Sequence, residues 1–311
     1  MEVVRFYSEL ESEWNRFVKN SKNGLFFFNT SYLFYHKDRF VDHSLCFYNE
    51  KKELIAVFPA NELGETIYSH QGLTFGSLVI SRNTKAKEVL DIFDALILYY
   101  RNLGFKKLIY KAIPCIFSEY PAQEDLYALF RNNAKLYRRD LSSVIPIDNK
   151  IEFSQSKKNL VNRNNKNGLE VVEDESIEEF WDLLTQVLAK FETAPVHSKE
   201  EIILLKKHFP DEIKLYTVRE DTELLAGTVI FDFKTVIHTQ YMANSAKGRK
   251  LGALDFINYQ LINKFYNDRR YYSFGISNED GGRVLNEGLI QQKELMGGRG
   301  VALDFYEIDL I

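Results

Sequence analysis

Three short patterns occur twice in this 311-residue chain, and each pair of copies lies almost the same distance apart. The offsets are 168, 170 and 170 residues. Three matches in one register indicate an internal duplication, which predicts two similar domains. We place these domains at residues 1–150 and 151–311, divided by the polar stretch 148–156. The paired segments are SELE at 8–11 with SIEE at 176–179, ELIA at 53–56 with ELLA at 223–226, and IYSHQ at 67–71 with IHTQY at 237–241.

Apolar periodicity predicts the same order of elements in each half: two helices, three strands, a helix and a strand. Antiparallel hairpins that are followed by a helix and a further strand are typical of an α/β fold with mixed sheets and flanking helices. In the first half, we expect helices at 8–19 and 86–102, the aromatic-rich segment 26–40 in the place of the second helix, and strands at 45–48, 54–59, 66–70 and 107–111. In the second half, we expect helices at 176–191, 198–208 and 253–265 and strands at 213–218, 224–231, 236–242, 271–275 and 301–308.

Composition narrows the functional classes. The net charge of −4 argues against a protein that binds nucleic acid over its whole surface. Cys46 and Cys115 are the only cysteines, too few for a disulfide framework and without the spacing of a cysteine metal site. No signal peptide and no long apolar run is visible. We therefore expect a cytoplasmic protein that inserts in no membrane and holds no metal.

The order of elements resembles the GNAT acyltransferase fold, and its doubling resembles the FemABX-like branch of that superfamily. Three features carry the resemblance. The glycine-containing segment 248–253 lies between a strand and a helix, Lys293 precedes Gly297 and Gly298, and the basic run 157–169 ends in a glycine and a leucine. The resemblance covers nearly the whole chain. It implies two tandem GNAT-like domains, with the working site in the second.

The segment 248–253 is the candidate cofactor-binding site. Glycines at a strand-to-helix turn let backbone N–H groups point outward, and the start of a helix favours an anion such as a pyrophosphate. In GNAT proteins this turn binds the phosphates of the acyl carrier, so the resemblance implies acyl-CoA, such as acetyl-CoA, as the donor. The counterpart at 72–76 has no arginine or lysine, and we expect no phosphate there. The predicted cofactor-binding residues are Gly248, Arg249, Lys250, Gly252 and Ala253.

His238, Gln240 and Glu192 are the candidate catalytic residues. Acyl transfer to an amine requires a proton acceptor, and the ordinary pKa of histidine, about 6.5, suits that role. Strand alternation predicts that His238 and Gln240 share one face while Tyr241 lies on the other. Glu192 belongs to the connection between two predicted helices, a place that shapes the acceptor pocket in GNAT proteins. The alternatives are a structural strand histidine and a solvated turn.

The candidate substrate-binding residues lie on loops and on the strand that carries His238. The loop after the strand 271–275 is polar and glycine-rich, which suits binding. Its asparagines have the alternative role of helix caps. The predicted substrate-binding residues are Tyr241, His197, Asn278, Asn286 and Lys293.

These observations lead to one hypothesis and two alternatives. The first is an N-acyltransferase that moves an acyl group from acyl-CoA to an amine. The resemblance implies that this amine belongs to a cell-envelope or polysaccharide precursor. The second is a FemABX-like aminoacyltransferase that uses aminoacyl-tRNA, because Leu254 stands where the GNAT phosphate pattern has a small residue. The third is a non-catalytic binding or scaffold module with the same fold.

Overall fold

The computed structural model describes residues 1–311, which form two compact units. Unit 1 comprises Met1–Asp140, Asp280–Arg283 and Ala302–Ile311, and unit 2 comprises Leu141–Glu279 and Val284–Val301. This division differs from the predicted boundary near residue 150. The reason lies in strand pairing. Residues 305–309 pair with the strand 107–111 of unit 1, whereas residues 142–146 pair with the strand 271–276 of unit 2.

Ten helices and seventeen strands make up the fold. The helices are α1 Glu11–Asn20, α2 Thr30–Leu33, α3 Ala86–Asn102, α4 Glu124–Arg131, α5 Gln155–Lys166, α6 Glu178–Ala189, α7 Lys199–His208, α8 Ala246–Leu251, α9 Ala253–Gln260 and α10 Glu287–Leu295. The strands are β1 Glu2–Arg5, β2 Val41–Asp42, β3 Leu45–Tyr48, β4 Leu54–Phe58, β5 Asn61–Leu63, β6 Thr66–Tyr68, β7 Val79–Ile80, β8 Lys107–Lys111, β9 Lys135–Pro146, β10 Val171–Asp174, β11 Ile213–Glu220, β12 Glu223–Asp232, β13 Val236–Asn244, β14 Tyr271–Ile276, β15 Asn278–Glu279, β16 Val284–Leu285 and β17 Arg299–Asp309.

Unit 2 has the simpler sheet. Its strands follow the order β10-β11-β12-β13-β14, and the end of β9 pairs with β14. The pairs β10-β11, β11-β12 and β12-β13 are antiparallel, but β13 and β14 run parallel. The helix α9 continues into a π turn at Leu261–Phe265, so the predicted helix 253–265 exists with a change of hydrogen-bond pattern near its end. The mixed α/β architecture predicted from the sequence is therefore confirmed.

In unit 1, two separate strands have the pairings that β13 alone has in unit 2. In unit 2, β13 pairs antiparallel with β12 and parallel with β14. In unit 1, β7 pairs antiparallel with β4, while β6 pairs parallel with β8. The repeated patterns at 67–71 and 237–241 thus begin on strands that each have a parallel neighbour. This equivalence supports the internal duplication.

The sequence predicts capping boxes at two helix starts, because Ser8 and Ser198 are each followed three residues later by a glutamate. Ser198 and Glu201 form theirs at α7, with both reciprocal hydrogen bonds present. The one predicted for Ser8 and Glu11 is wrong, because Ser8 opens a 3-10 turn and its hydroxyl donates to Glu9 instead. The strands β1, β9 and β10 were not predicted, because their charged residues hide the apolar alternation. No helix combines the length and the apolarity needed to cross a bilayer.

A buried histidine in unit 1 has a consequence for acid stability. His70 is 2% exposed and adopts a left-handed backbone conformation with φ of 58°. Burial, with a smaller effect of His36 and Lys111, lowers the pKa of His70 to about 3. The unfolded value is about 6.5, so the unfolded chain takes up the proton first as the pH falls. Stability from this histidine is complete above about pH 6.5 and is lost as the pH falls toward 3.

We expect the free energy of unfolding to fall by about 2 kcal/mol between pH 6.5 and pH 5 because His70 is protonated only in the unfolded chain. The slope is about 1.4 kcal/mol per pH unit. His70→Asn should abolish that part of the pH dependence, because asparagine tolerates a positive φ and does not titrate in this range. Urea unfolding of both proteins at the two pH values measures the difference. His208→Asn is the matched control, since His208 is exposed at the end of α7. An unchanged pH dependence in His70→Asn would contradict the prediction.

Candidate functional site

The parallel pairing of β13 and β14 in unit 2 stops before either strand ends. Val236–His238 pair with Tyr271–Ser273, but β13 continues to Asn244 and β14 to Ile276. Beyond His238 and Ser273, the facing edges of the two strands are therefore not paired with each other. Strand backbone without a partner strand can bond to an extended chain as to an added strand.

A β-bulge lies at the same point of β13. Thr239 is opposite Ile230 and Tyr241 is opposite Val229, so Gln240 has no partner on β12. A bulge interrupts simple alternation and leaves the extra residue unpaired. Burial along β13 still alternates as predicted, with His238 and Gln240 half-buried and Tyr241 buried. Alternation alone could not reveal the bulge, because a bulge depends on the partner strand.

His238 is held by a serine that the sequence did not single out. The Nδ1 atom of His238 lies 3.1 Å from Oγ of Ser273, which accepts a hydrogen bond from the backbone N–H of Gly275 at 3.3 Å. The Oγ atom of Ser142 lies 3.4 Å from that of Ser273. Gly275 has a φ of 73°, and a Cβ atom at this residue would lie 3.2 Å from Cε1 of His238. No sequence signal marks these serines, since only the strand pairing brings them to the histidine.

The environment of His238 changes its predicted chemistry. Burial, together with the positive charge of Lys293, lowers the pKa of His238 to about 4. The imidazole is therefore neutral near pH 7 and is a weaker base than the ordinary value of about 6.5 implies. It remains able to accept or donate a hydrogen bond at the end of the β13–β14 pairing.

Lys293 lies on α10 and is only 3% exposed. Its Nζ donates to the backbone oxygens of Gly275 at 2.9 Å and Ile276 at 2.6 Å, and to Oγ of Ser277 at 2.9 Å. All three acceptors are uncharged, and burial lowers the pKa of Lys293 to about 8. A buried cation without a carboxylate partner leaves a positive potential at the end of β14.

Tyr241 and His197 meet in a second cluster. The Nδ1 atom of His197 lies 2.6 Å from the Tyr241 hydroxyl, and the backbone N–H of His197 donates to that hydroxyl at 3.3 Å. Trp181 packs edge-on against the Tyr241 ring at a centroid distance of 4.9 Å. Burial raises the pKa of Tyr241 to about 12, so the phenol stays protonated. The cluster anchors the α6–α7 connection to β13.

No family model and no curated protein matches this chain. Solved structures do match. FemX has a TM-score of 0.72 at 12% identity, covering 99% of this chain and 97% of its own. L-PGS from Bacillus licheniformis has a TM-score of 0.55 at 14% identity, covering 86% and 84%. A tandem GNAT protein from the clavulanic acid biosynthesis pathway has a TM-score of 0.52 at 9% identity, covering 100% and 98%.

The chain has a tandem GNAT fold of the FemABX-like type. At these identities the likeness defines the fold. The chemistry depends on the residues of this chain.

The segment expected to form the phosphate turn has a different local structure. Residues 246–251 are the helix α8, capped by the Ser245 side chain, which accepts from the backbone N–H of Gly248. The N–H groups of Arg249 and Gly252 donate to Ser245 and Arg249 within the same segment. The expected open turn is therefore wrong. The sequence suggested a turn because the two glycines weaken the helix signal.

The glycines of this segment have packing roles. A Cβ atom on Gly248 would lie 1.9 Å from the backbone oxygen of Leu225. Gly252 ends α8 with a φ of 70°, where a Cβ atom would lie 2.8 Å from the Leu160 side chain of α5. Ala253 begins α9 and is fully buried. The side chains of Arg249 and Lys250 are exposed.

The remaining predicted site residues have structural contacts or solvent around them. Asn278 Oδ1 accepts from the backbone N–H of Leu141. Asn286 caps α10, accepts from the N–H of Leu289 at 2.9 Å and donates to Glu279 at 2.7 Å. Glu192 is exposed in the turn after α6, with a φ of 55°. No group of three or more His, Cys, Asp or Glu side chains is arranged to hold a metal ion.

Proposed function

We propose that unit 2 transfers an acyl group from an activated ester to an amine. The supporting observation is the unpaired end of the β13–β14 ladder, where the bulge at Gln240, the neutral His238 and the buried Lys293 come together. Acyl transfer forms a tetrahedral oxyanion, and fixed positive potential and backbone donors in a partly buried site stabilise that charge. In this proposal the acyl carbonyl lies in the opening between the two strands.

Each residue of the proposed site has its own role in the acyl transfer. The acceptor nitrogen forms a bond to the acyl carbon, the bond to the leaving oxygen or sulfur breaks, and one proton moves overall from the nitrogen to the leaving oxygen or sulfur. Lys293 supplies the positive potential, and Ser273 holds His238 in one orientation. With a pKa of about 4, His238 orients groups by hydrogen bonding, so the amine has to arrive uncharged or lose its proton to another acceptor. The Tyr241–His197 cluster is our candidate for the acceptor side.

The donor we propose is an aminoacyl ester carried on tRNA, as the FemABX-like resemblance implies. Two features favour it over acyl-CoA. The N–H groups of Gly248, Arg249 and Gly252 are bonded to Ser245 and Arg249, and Asp255 places a carboxylate in the first turn of α9, where it pairs with Lys157 at 2.7 Å. Exposed cations without a carboxylate partner, Lys166, Arg249 and Lys250, lie on α5 and α8. We call these three residues the basic patch.

The two helices of the basic patch are joined directly. Arg163 of α5 donates to the backbone oxygens of Lys250 and Leu251 at 3.1 and 3.2 Å. Asn164 donates to the oxygen of Leu251 at 3.0 Å. The patch is therefore a local basic surface on a chain of net charge −4, a distribution that suits a polyanion. For the acceptor, we retain an amine on a cell-envelope or polysaccharide precursor, a class that the resemblance alone supports.

Binding measurements separate the donors. We expect aminoacyl-tRNA to bind with an affinity that falls steeply with salt, and acetyl-CoA to give no saturable binding. Arg249→Gln with Lys250→Gln should reduce the slope of log affinity against log salt concentration by about 1.5, since each phosphate contact contributes about 0.7–0.9.

The matched control is Lys190→Gln with Lys207→Gln. It makes the same change of net charge at two exposed lysines outside the patch, and it should leave the slope unchanged. Saturable acetyl-CoA binding without tRNA binding would favour the acyl-CoA donor. Binding of neither donor, together with no transferase activity, would favour the scaffold module.

A further inference from the structure

A pocket of about 350 Å³ lies in unit 2, apart from the residues of the proposed acyl-transfer site. The end of α5 and the segment leading into β10 form one side, and α9 with its π turn forms the other. Its volume is near the lower end of the range for small-molecule pockets, about 300–1,000 Å³. A ligand of this size is a single small metabolite. The lining residues that matter here are Asn165, Glu170, Phe256, Gln260, Lys264 and Phe265.

Two opposite charges line the pocket without pairing. Glu170 and Lys264 are both exposed, and neither forms an ion pair with the other or with any other side chain. Charged side chains nearby do pair, as Lys157 does with Asp255 at 2.7 Å and Lys214 with Glu173 at 3.4 Å. An unpaired cation and an unpaired anion on one small pocket match a ligand that carries both charges. The carboxylate of Glu170 also disfavours a polyanion such as a nucleotide.

The pocket has an apolar wall and spare amide groups. Phe256 is 1% exposed, and Phe265 is partly buried against Tyr216 at a centroid distance of 5.1 Å. Gln260 Nε2 reaches Asn165 Oδ1 at 3.4 Å, which leaves the Gln260 oxygen and the Asn165 amide nitrogen for other partners. Phe256 belongs to the buried core, so the exposed part of the Phe265 ring provides the surface for an apolar side chain.

The π turn decides which residues line the pocket. Tyr266 donates its backbone N–H to Leu261 at 2.9 Å, a bond of i to i+5 type. One extra residue in a helical turn rotates the residues that follow by about 100° around the axis. Lys264 and Phe265 belong to this turn, and the Lys264 ammonium lies 5.7 Å from the centroid of the Phe265 ring. Such turns occur frequently at functional sites.

We propose that this pocket binds a free α-amino acid with a large apolar side chain. The ligand carboxylate pairs with Lys264, its ammonium pairs with Glu170, and its side chain packs against the exposed part of the Phe265 ring. Asn165 and Gln260 complete the hydrogen bonds of the two charged groups. This binding is independent of the proposed acyl transfer, because the pocket shares no residue with His238, Ser273 or Lys293.

Calorimetric titration with L-phenylalanine and two analogues tests the assignment. L-Phenylalaninamide lacks the carboxylate, and N-acetyl-L-phenylalanine lacks the ammonium. We expect saturable binding of L-phenylalanine and about tenfold weaker binding of each analogue, as for loss of one charged contact worth about 1.4 kcal/mol.

Two variants assign each contact. Lys264→Met should bind L-phenylalanine and its amide equally well, because the partner of the carboxylate is gone. Glu170→Gln should bind L-phenylalanine and its N-acetyl form equally well, because the partner of the ammonium is gone. Lys190→Met is the control and should behave as the unmodified protein. Both pocket side chains are exposed, so we expect the variants to fold, and thermal melts check this. The absence of saturable binding, equal affinity for all three ligands, or variants that keep both discriminations would overturn the proposal.

Discussion

Lys293→Met is expected to lower kcat for acyl transfer by about 10²–10³-fold, the usual effect of removing one stabiliser of an oxyanion. The variant removes the buried positive charge at the end of β14 and leaves the backbone oxygens of Gly275 and Ile276 without their donor. It therefore also loses stability, so activity has to be measured where the variant is folded. Urea unfolding of the same preparation provides that check.

Unit 1 supplies a matched control for this experiment. Lys111 is also buried, and its Nζ donates to the backbone oxygens of His70, Gln71 and Leu73 at 3.1, 3.2 and 2.7 Å. Burial lowers its pKa to about 8, as for Lys293. Lys111→Met should lose a comparable amount of stability but keep kcat. Equal kcat in the two variants would remove Lys293 from the mechanism and strengthen the scaffold alternative.

The pH profile distinguishes charge from packing at Lys293. Because its pKa is about 8, the ammonium loses its proton as the pH rises above that value, and kcat should fall with it. Lys293→Arg keeps the charge at every accessible pH. We expect this variant to retain part of the activity and to show no fall near pH 8. A purely structural lysine would give the same profile in both proteins.

Gly248→Ala is expected to lower the free energy of unfolding by about 3 kcal/mol. The new Cβ atom would lie 1.9 Å from the backbone oxygen of Leu225 and 2.7 Å from its carbonyl carbon, and backbone cannot move aside as a flexible side chain can. Chemical unfolding, followed by tryptophan fluorescence, measures the loss. Trp181 of unit 2 is 3% exposed and reports on the packing of that unit.

Gly288→Ala is the control for the glycine experiment. Gly288 lies in the first turn of α10, and the nearest atom to the added methyl carbon would be Asn286 Oδ1 at 3.8 Å. Alanine should be neutral there or add up to about 1 kcal/mol, because it favours the helix. If Gly248→Ala instead kept full stability and lost binding of acetyl-CoA, the expected phosphate turn would be supported after all.

Local and repeating sequence patterns were sufficient to predict much of the fold. Helix α3 lies at 86–102 and strand β8 at 107–111, as predicted, and the hairpin of β11 and β12 closes between Glu220 and Glu223. These elements carry a clear apolar periodicity. The strand β9, whose segment KLYRRDLSSVIP begins with charged residues, was missed because its first half shows no such period.

The site residues were predicted less completely than the fold. The sequence predicted His238 and Lys293 as site residues from their positions in the chain. It did not predict their hydrogen-bond partners, which are Ser273 for His238 and the end of β14 for Lys293. The roles of Asn278 and Asn286 in binding and of Glu192 in catalysis stay predictions, and in the structure their surroundings are a backbone contact, a helix cap and solvent.

The amino-acid sequence by itself determined the duplication, the order of elements and the mixed α/β class, because these depend on periodicity and on turns that short segments encode. Only the tertiary structure decided the bulge at Gln240, the helical form of residues 246–251, and the lowered pKa values of His238 and Lys293. It also decided that the last strand is divided between the two units, with residues up to Val301 in unit 2 and those from Ala302 in unit 1. Each of these depends on which distant strand or helix lies alongside. Register, burial and local electric potential are properties of such pairs of segments, and no single segment contains them.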